Sequence, residues 1–322
     1  MRFTDGIERY VAVKRTQGIE FLHGKSDLMR LARITGDIEL SDIKRNHILA
    51  LLNESSLANV TWRLKYYVLM RFFDYWTAYG EMPELLMPPI KPKVRRDHLP
   101  YVFTRTELRA IIRAANDPRY GGTIHPQTMR TFLIVLYGSG ARVGEVLQLR
   151  IRDVNLSKRT LVINNKNPNR SRTIPIGADL VEILRKFLAW RSKRLFESPC
   201  LFVKKKGKPI IQELICREFR RLREIANVTR ERAASTGPPR MMDFQCSFAV
   251  HRINSWILGK KDINRLLPAL AVYMGFSGLN TTQRYLHMAP ARFKQHLNKL
   301  SPFGMKRHWR TDQSLMQFLD SL

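Results

Sequence analysis

Apolar residues in the N-terminal part of the chain recur at helical intervals. In GIERYVAVKRTQGIEFL, Ile7, Tyr10, Val11 and Val13 lie near a helical period, and Ser41 ahead of DIKRNHILALL reads as an N-cap opening a second amphipathic run. The strongest pattern is VTWRLKYYVLMRFFDYWTAYG. There Leu64, Tyr67, Val68, Phe72, Phe73 and Trp76 fit one long helix that Gly80 can end. These runs predict a bundle of about four helices over residues 1–86. Arg63, Lys65 and Arg71 interleave with the aromatics as the solvated basic edge of that core.

The pattern then breaks. MPELLMPPIKPKVRRDHLP carries Pro83, Pro88, Pro89, Pro92 and Pro100, which disfavour a continuous helix. Residues 87–100 read as a linker, and Lys91, Lys93, Arg95 and Arg96 suit it to run beside phosphates. A second region begins near Tyr101. Thr104 or Thr106 caps a helix through ELRAIIRAA, TMRTFLIVLYGSG is an apolar helix that its glycines can end, and ARVGEVLQL starts another. After Asp153 the period shortens: TLVIN and SRTIPI are β-rich runs around the turn-forming NKNPNR, which predicts a hairpin. Helical spacing resumes in VEILRKFLAWRSKRL, ELICREFRRLREIA, residues 243–258 and residues 262–274. The expected fold is mainly α, a helical N-terminal bundle followed by an α-rich domain with a small antiparallel β-sheet.

Composition narrows the chemistry. The 322 residues suit two domains at roughly 100–200 residues each, and 44% hydrophobic residues can build a core. Lys and Arg number 56 against 27 Asp and Glu, a net charge of +29. The excess is uneven: residues 1–95 hold 15 basic and 11 acidic side chains, residues 96–322 hold 41 and 16. A solubilising coat would be spread more evenly, so an anion-binding C-terminal region and a polyanionic partner are expected. Cys200, Cys216 and Cys246 are odd in number and form no CxxC pair, which gives no support to a disulfide framework or a structural zinc. No GxxxxGK[ST] or GxGxxG loop is present to cradle a nucleotide. No apolar run approaches the roughly 18 residues of a membrane span. The chain reads as soluble and cytoplasmic (nucleoid-associated in a bacterial host), with no membrane partner, no metal and no cofactor.

Four strings, YGSGARVGEVLQL, NNKNPNRSRTIPI, DFQCSFAVHR and YMGFSGLNTTQRYLHM, stand in an order and at gaps that resemble the tyrosine recombinase (phage integrase) family. The resemblance spans nearly the whole chain. It implies a helical DNA-clamping domain at 1–86, the basic linker at 87–100, a catalytic domain at 101–300 and a tail at 301–322. The implied chemistry is metal-free transesterification, in which a tyrosine oxygen attacks a DNA phosphorus to leave a 3′-phosphotyrosine and a free 5′-hydroxyl. Charge builds on the non-bridging phosphoryl oxygens, so forked cationic donors are needed there in advance. By the resemblance Arg142 is the first such arginine, with Glu145 its structural partner, Lys166 on the hairpin tip protonates the leaving oxygen, and Tyr285 is the nucleophile.

Three of the six active-site positions depart from the family pattern. Met242 stands at a histidine position, Gln245 at the second arginine, and Phe276 at the histidine after Gly275; Cys246 replaces a further frequent histidine. One lost transition-state donor costs about 10²–10³ in rate. Glutamine brings no charge and no fork, and methionine and phenylalanine cannot shuttle a proton. Arg240, two residues before Met242, and His251 with Arg252, two helical turns beyond Gln245, would need rearrangement to substitute. Cleavage is therefore expected to be impaired or absent.

DNA binding does not require the lost groups. Lys204, Lys205 and Lys206 with Lys208, Arg217 with Arg220, Arg221 and Arg223, and Arg191 with Lys193 and Arg194 are candidate phosphate contacts. In TDQSLMQFLDSL a capping Thr311 or Asp312 precedes Leu315, Met316, Leu319 and Leu322 on one face; so short a helix must dock its apolar stripe, in cis or in trans. The favoured reading is a double-stranded-DNA-binding accessory or regulatory subunit of site-specific recombination, self-associating or assembling with related recombinases. The rival readings are an active recombinase using Tyr285 and a nucleic-acid-binding regulator with no role in strand exchange.

Overall fold

The computed structural model describes residues 1–53, 59–91, 100–164, 171–194, 196–230, 237–276 and 278–289, apart from the side chains of 279–281. The chain divides into two compact units, Met1–Asp97 and His98–Leu322.

The first unit contains α1 (Phe3–Thr16), α2 (Leu22–Thr35), α3 (Arg45–Asn53) and α4 (Asn59–Ala78). Its core is aromatic: Phe3, Tyr10, Phe72 and Phe73 are almost wholly buried, and the Tyr10 ring meets Phe72 edge-on at 5.2 Å. Gly80 follows α4 in the left-handed region at φ +73° and its N–H donates to the Thr77 carbonyl, the predicted stop. Two expectations fail. Ser41 does not cap a helix: it lies in a 3-10 turn, Leu40–Asp42, and the α-helix starts only at Arg45. Leu40 is fully buried and its N–H donates to the Met1 carbonyl, which ties this segment to the start of α1. On α4 the buried stripe is Trp62, Tyr66, Leu69, Phe72, Phe73 and Trp76, leaving Leu64 and Tyr67 exposed. The nearly continuous apolar sequence offered two stripes, and the one carrying Trp62 buries the larger ring.

The second unit runs α5 (Arg105–Ala114), α6 (Pro126–Ser139), α7 (Val143–Gln148), β1 (Val154–Asn155), β2 (Thr160–Ile163), β3 (Arg172–Pro175), α8 (Ala178–Ser192), α9 (Gln212–Ile225), α10 (Asp243–Leu258), α11 (Ile263–Met274) and α12 (Leu279–His287). Thr104 caps α5 in a reciprocal box with Glu107. Helix α6 is the centre of the unit. It buries Met129, Phe132, Leu133, Val135 and Leu136 and packs against both α8 and α10, as its apolar sequence requires. The three strands form an antiparallel sheet in the order β1-β2-β3, with Leu161 opposite Ile174 and both buried. A second apolar cluster joins α10 and α11 through Phe248, Ile253, Leu267, Leu270 and Met274, with Tyr285 and Leu286 of α12 packed against it. Among the described residues no helix is long and apolar enough to cross a membrane.

Candidate functional site

The site is assembled where three chain segments end. Helix α6 stops at Gly140, φ +60°, where a Cβ would lie 2.4 Å from the Phe248 ring; only glycine fits both the conformation and the gap. Two residues later Arg142 caps α7, its N–H donating to Glu145 Oε2 at 2.8 Å. The same carboxylate holds two guanidinium groups. Arg142 Nη1 reaches Oε1 at 3.1 Å, and Arg172 at the start of β3 makes a forked pair at 3.0 and 3.1 Å. Arg142 Nη2 also donates to the Gly275 carbonyl at 3.1 Å, and Arg172 Nε to the Tyr273 carbonyl at 2.8 Å. Gly275 ends α11 at φ +69°, and a Cβ there would meet Arg172 Nη1 at 2.6 Å. One buried carboxylate thus fastens α7, β3 and the end of α11. Burial pushes the Glu145 carboxyl up, but the bonds from Arg172 and the Arg142 N–H, with both arginine charges, outweigh it and hold it low.

Beyond Gly275 the Phe276 ring centroid lies 5.6 Å from the Arg142 guanidinium carbon and 6.0 Å from the Tyr285 ring centroid. Arg142, Phe276 and Tyr285 therefore stand together. The Tyr285 phenol is pushed up to about 12, by burial first and then by Cys246, against the opposing charges of Arg284 and Arg142. It is neutral at physiological pH and needs a proton acceptor to attack. None of the side chains at the substituted positions supplies one. Phe276 is apolar, the Met242 thioether is not a base, and Gln245 is a neutral amide whose Nε2 donates to the Gly140 carbonyl at 3.0 Å. Cys246 is buried with its sulfur 3.9 Å from that of Met288, and burial pushes its thiol up to about 12. His251 faces elsewhere, its Nδ1 2.8 Å from the Tyr137 hydroxyl.

A cavity of about 860 Å³ opens beside this cluster, lined by Arg142, Glu145, Arg220, Arg223, Arg240, Met242 and Gln245 among others. Four arginines against one glutamate give it a positive lining. Asn164, just past β2, also lines it, which sets the root of the hairpin at its edge. Lys166, Lys93, Arg95, Arg96 and the C-terminal run with Leu315, Met316, Leu319 and Leu322 lie outside the described residues.

The remaining basic residues divide by surroundings. Lys205 and Lys206 are exposed, and Lys204 half-buried, on a turn closed by the Lys204 N–H to the Lys208 carbonyl at 2.8 Å. Arg220 and Arg221 are exposed on α9, Arg221 lying 3.7 Å from the buried Glu218. Lys91 rests its ammonium 5.0 Å from the Trp62 ring within the first unit. Arg191 does not serve as a phosphate contact: it is buried and donates to the Ser198, Cys200 and Leu201 carbonyls, closing the loop after α8. Arg172, which sequence reasoning passed over, is also largely buried. The sequence carries no local signal for it, since only the fold shows that Glu145 is buried and needs a cation beyond the half-buried Arg142.

Comparison with known proteins agrees with this architecture. The family model described as "Phage integrase family" matches residues 102–292. The integrase/recombinase-type protein y4rB of Sinorhizobium fredii is 25% identical over 317 residues, covering 95% of this chain and 98% of its own. Tyrosine recombinase XerC of Lacticaseibacillus casei is 26% identical over 260 residues, covering 78% and 79%. Among solved structures, a lambda integrase fragment in a dimer bound to a COC′ core site superposes with a TM-score of 0.60 at 18% identity, over 89% of this chain and 95% of that one. The family match over more than half of its length places the chain in the phage integrase family, that of the tyrosine recombinases.

Proposed function

We propose that this protein grips the phosphates of double-stranded DNA in the arginine-lined cavity, is impaired in strand cleavage, and acts as an accessory or regulatory subunit of a recombination complex. The observation that carries this reading is the neighbourhood of Tyr285. Its phenol, raised to about 12, sits against Phe276, a residue unable to accept a proton. Cleavage requires that proton to leave, charge on the phosphoryl oxygens to be met, and the departing 5′ oxygen to be protonated. Arg142 and the hairpin lysine Lys166 can serve the last two needs, while Met242, Gln245 and Phe276 weaken the first two. Duplex DNA as partner and self-association on it are supported by relatives solved as a lambda integrase dimer on a COC′ core site and a tetramer on a Holliday junction. A second reading, an active recombinase, draws on the same proximity of Arg142 to Tyr285.

The binding half of the proposal is testable through Cys216. This thiol is exposed on α9 and lines the cavity with Arg220. Saturating duplex DNA should slow its alkylation at least tenfold, and binding should weaken at least tenfold between about 50 and 200 mM salt. Alkylation unchanged by duplex, or affinity indifferent to salt, would remove the cavity from the DNA interface.

A further inference from the structure

The cavity beside Arg142 contains a cation that the family pattern does not provide. Arg240 lies on its wall, in the segment Gly237, Pro238, Pro239, Arg240 that leads into α10. That segment is held where it enters α10. Arg223 Nη1 donates to the Pro239 carbonyl at 2.9 Å, the two prolines restrict the backbone, and the Arg240 N–H donates to Asp243 Oδ2 at 2.8 Å. The side chain is freer. It is 46% exposed and, among the described residues, makes one loose pair, Nη2 to Asp243 Oδ1 at 3.8 Å, which leaves other donors for a ligand. Gln245, by contrast, is tied to the Gly140 carbonyl.

We propose that Arg240 supplies the second cationic contact to a DNA phosphodiester, opposite Arg142, in place of the charge absent at Gln245. This inference rests on the reading of the cavity as a phosphate site. It gives the protein a two-arginine grip on one phosphate while leaving Met242 and Phe276 without proton chemistry, so tight binding and poor cleavage are compatible. Arg240 is anchored ahead of α10 rather than within its first turns, so the grip is re-sited, not merely weakened.

The test is fluorescence anisotropy of a labelled duplex with the full chain, at one fixed salt concentration, for five variants. They are Arg142→Gln, Arg240→Gln, the two combined, Gln245→Arg, and Arg240→Gln with Gln245→Arg. Lys186→Gln, which removes an exposed charge on α8, sets the effect of losing one generic cation. Melting curves separate lost grip from lost fold, and Arg142→Lys replaces Arg142→Gln if the latter melts early. Each single arginine loss should weaken binding about tenfold, beyond the Lys186→Gln effect, with the double loss smaller than the product of the two because both hold the same phosphate. Gln245→Arg should gain clearly more in the Arg240→Gln background than in wild type, since a generic added charge would gain equally in both. If Arg240→Gln matches Lys186→Gln, or the Gln245→Arg gain is equal in both backgrounds, the inference fails while the phosphate site survives through Arg142. If neither arginine matters, the phosphate reading of the cavity fails with it.

Discussion

Glu145→Ala is expected to destabilise the protein by about 3–5 kcal/mol, because it strands the Arg172 side chain, 12% exposed, without its forked partner. In a unit of this size that lowers the melting temperature on the order of 10 °C. The Arg142 cap and the link from α7 to β3 are lost together, so the site should lose order before the rest of the unit. Thermal or urea unfolding followed by circular dichroism reads the effect. A change below about 1 kcal/mol would mean the carboxylate does not join the three segments. The acid limb carries a second signature. The Glu145 carboxyl is held below its ordinary value, so its stabilisation is present above the unfolded-state pKa and is lost as pH falls through the lower folded one. Glu145→Gln should flatten that part of the pH profile.

Met242→His, Gln245→Arg and Phe276→His made together should raise the rate of covalent DNA attachment by about 10²–10⁴. Each group restores a transition-state contact worth about 10²–10³, and such effects are not additive. The surroundings accept the changes. Met242 is exposed, so an imidazole there displaces no core. An arginine at 245 can keep the bond to the Gly140 carbonyl and still present donors to the cavity it lines. A histidine at 276 would stand within reach of both Arg142 and Tyr285, where a proton acceptor is missing. The readout is the fraction of labelled nicked duplex that becomes resistant to SDS and sensitive to protease. A triple variant no faster than wild type would place the defect outside these three positions.

Much of this architecture was legible in the chain. Helix α6 announced itself through a continuous apolar run closed by Gly140, and of the two threonines read as possible caps of α5 the structure uses Thr104. The β2–β3 hairpin followed from a change of period. What was not legible depended on long-range partners. Nothing local to SRTIPI says that Arg172 must find Glu145, which lies 27 residues earlier. Arg191 looked like a surface cation because helix periodicity cannot reveal that three loop carbonyls await it. Leu64 misled because α4 is apolar on more than one face. At the site, the four strings located Arg142, Phe276 and Tyr285, which the fold brings together. Arg240 was set aside as a substitute that would need rearrangement, because no family position falls there; the cavity it lines together with Arg142 brings it back.

The account turns on whether phosphate grip and strand cleavage have come apart in this protein. The direct measurement is a nicked duplex spanning its footprinted binding site, incubated with the wild-type chain and resolved under denaturing conditions. The account predicts a stable, salt-sensitive complex and no covalent band under conditions where the triple variant forms one. A covalent band that forms with wild type and disappears with Tyr285→Phe would contradict it and establish an active recombinase.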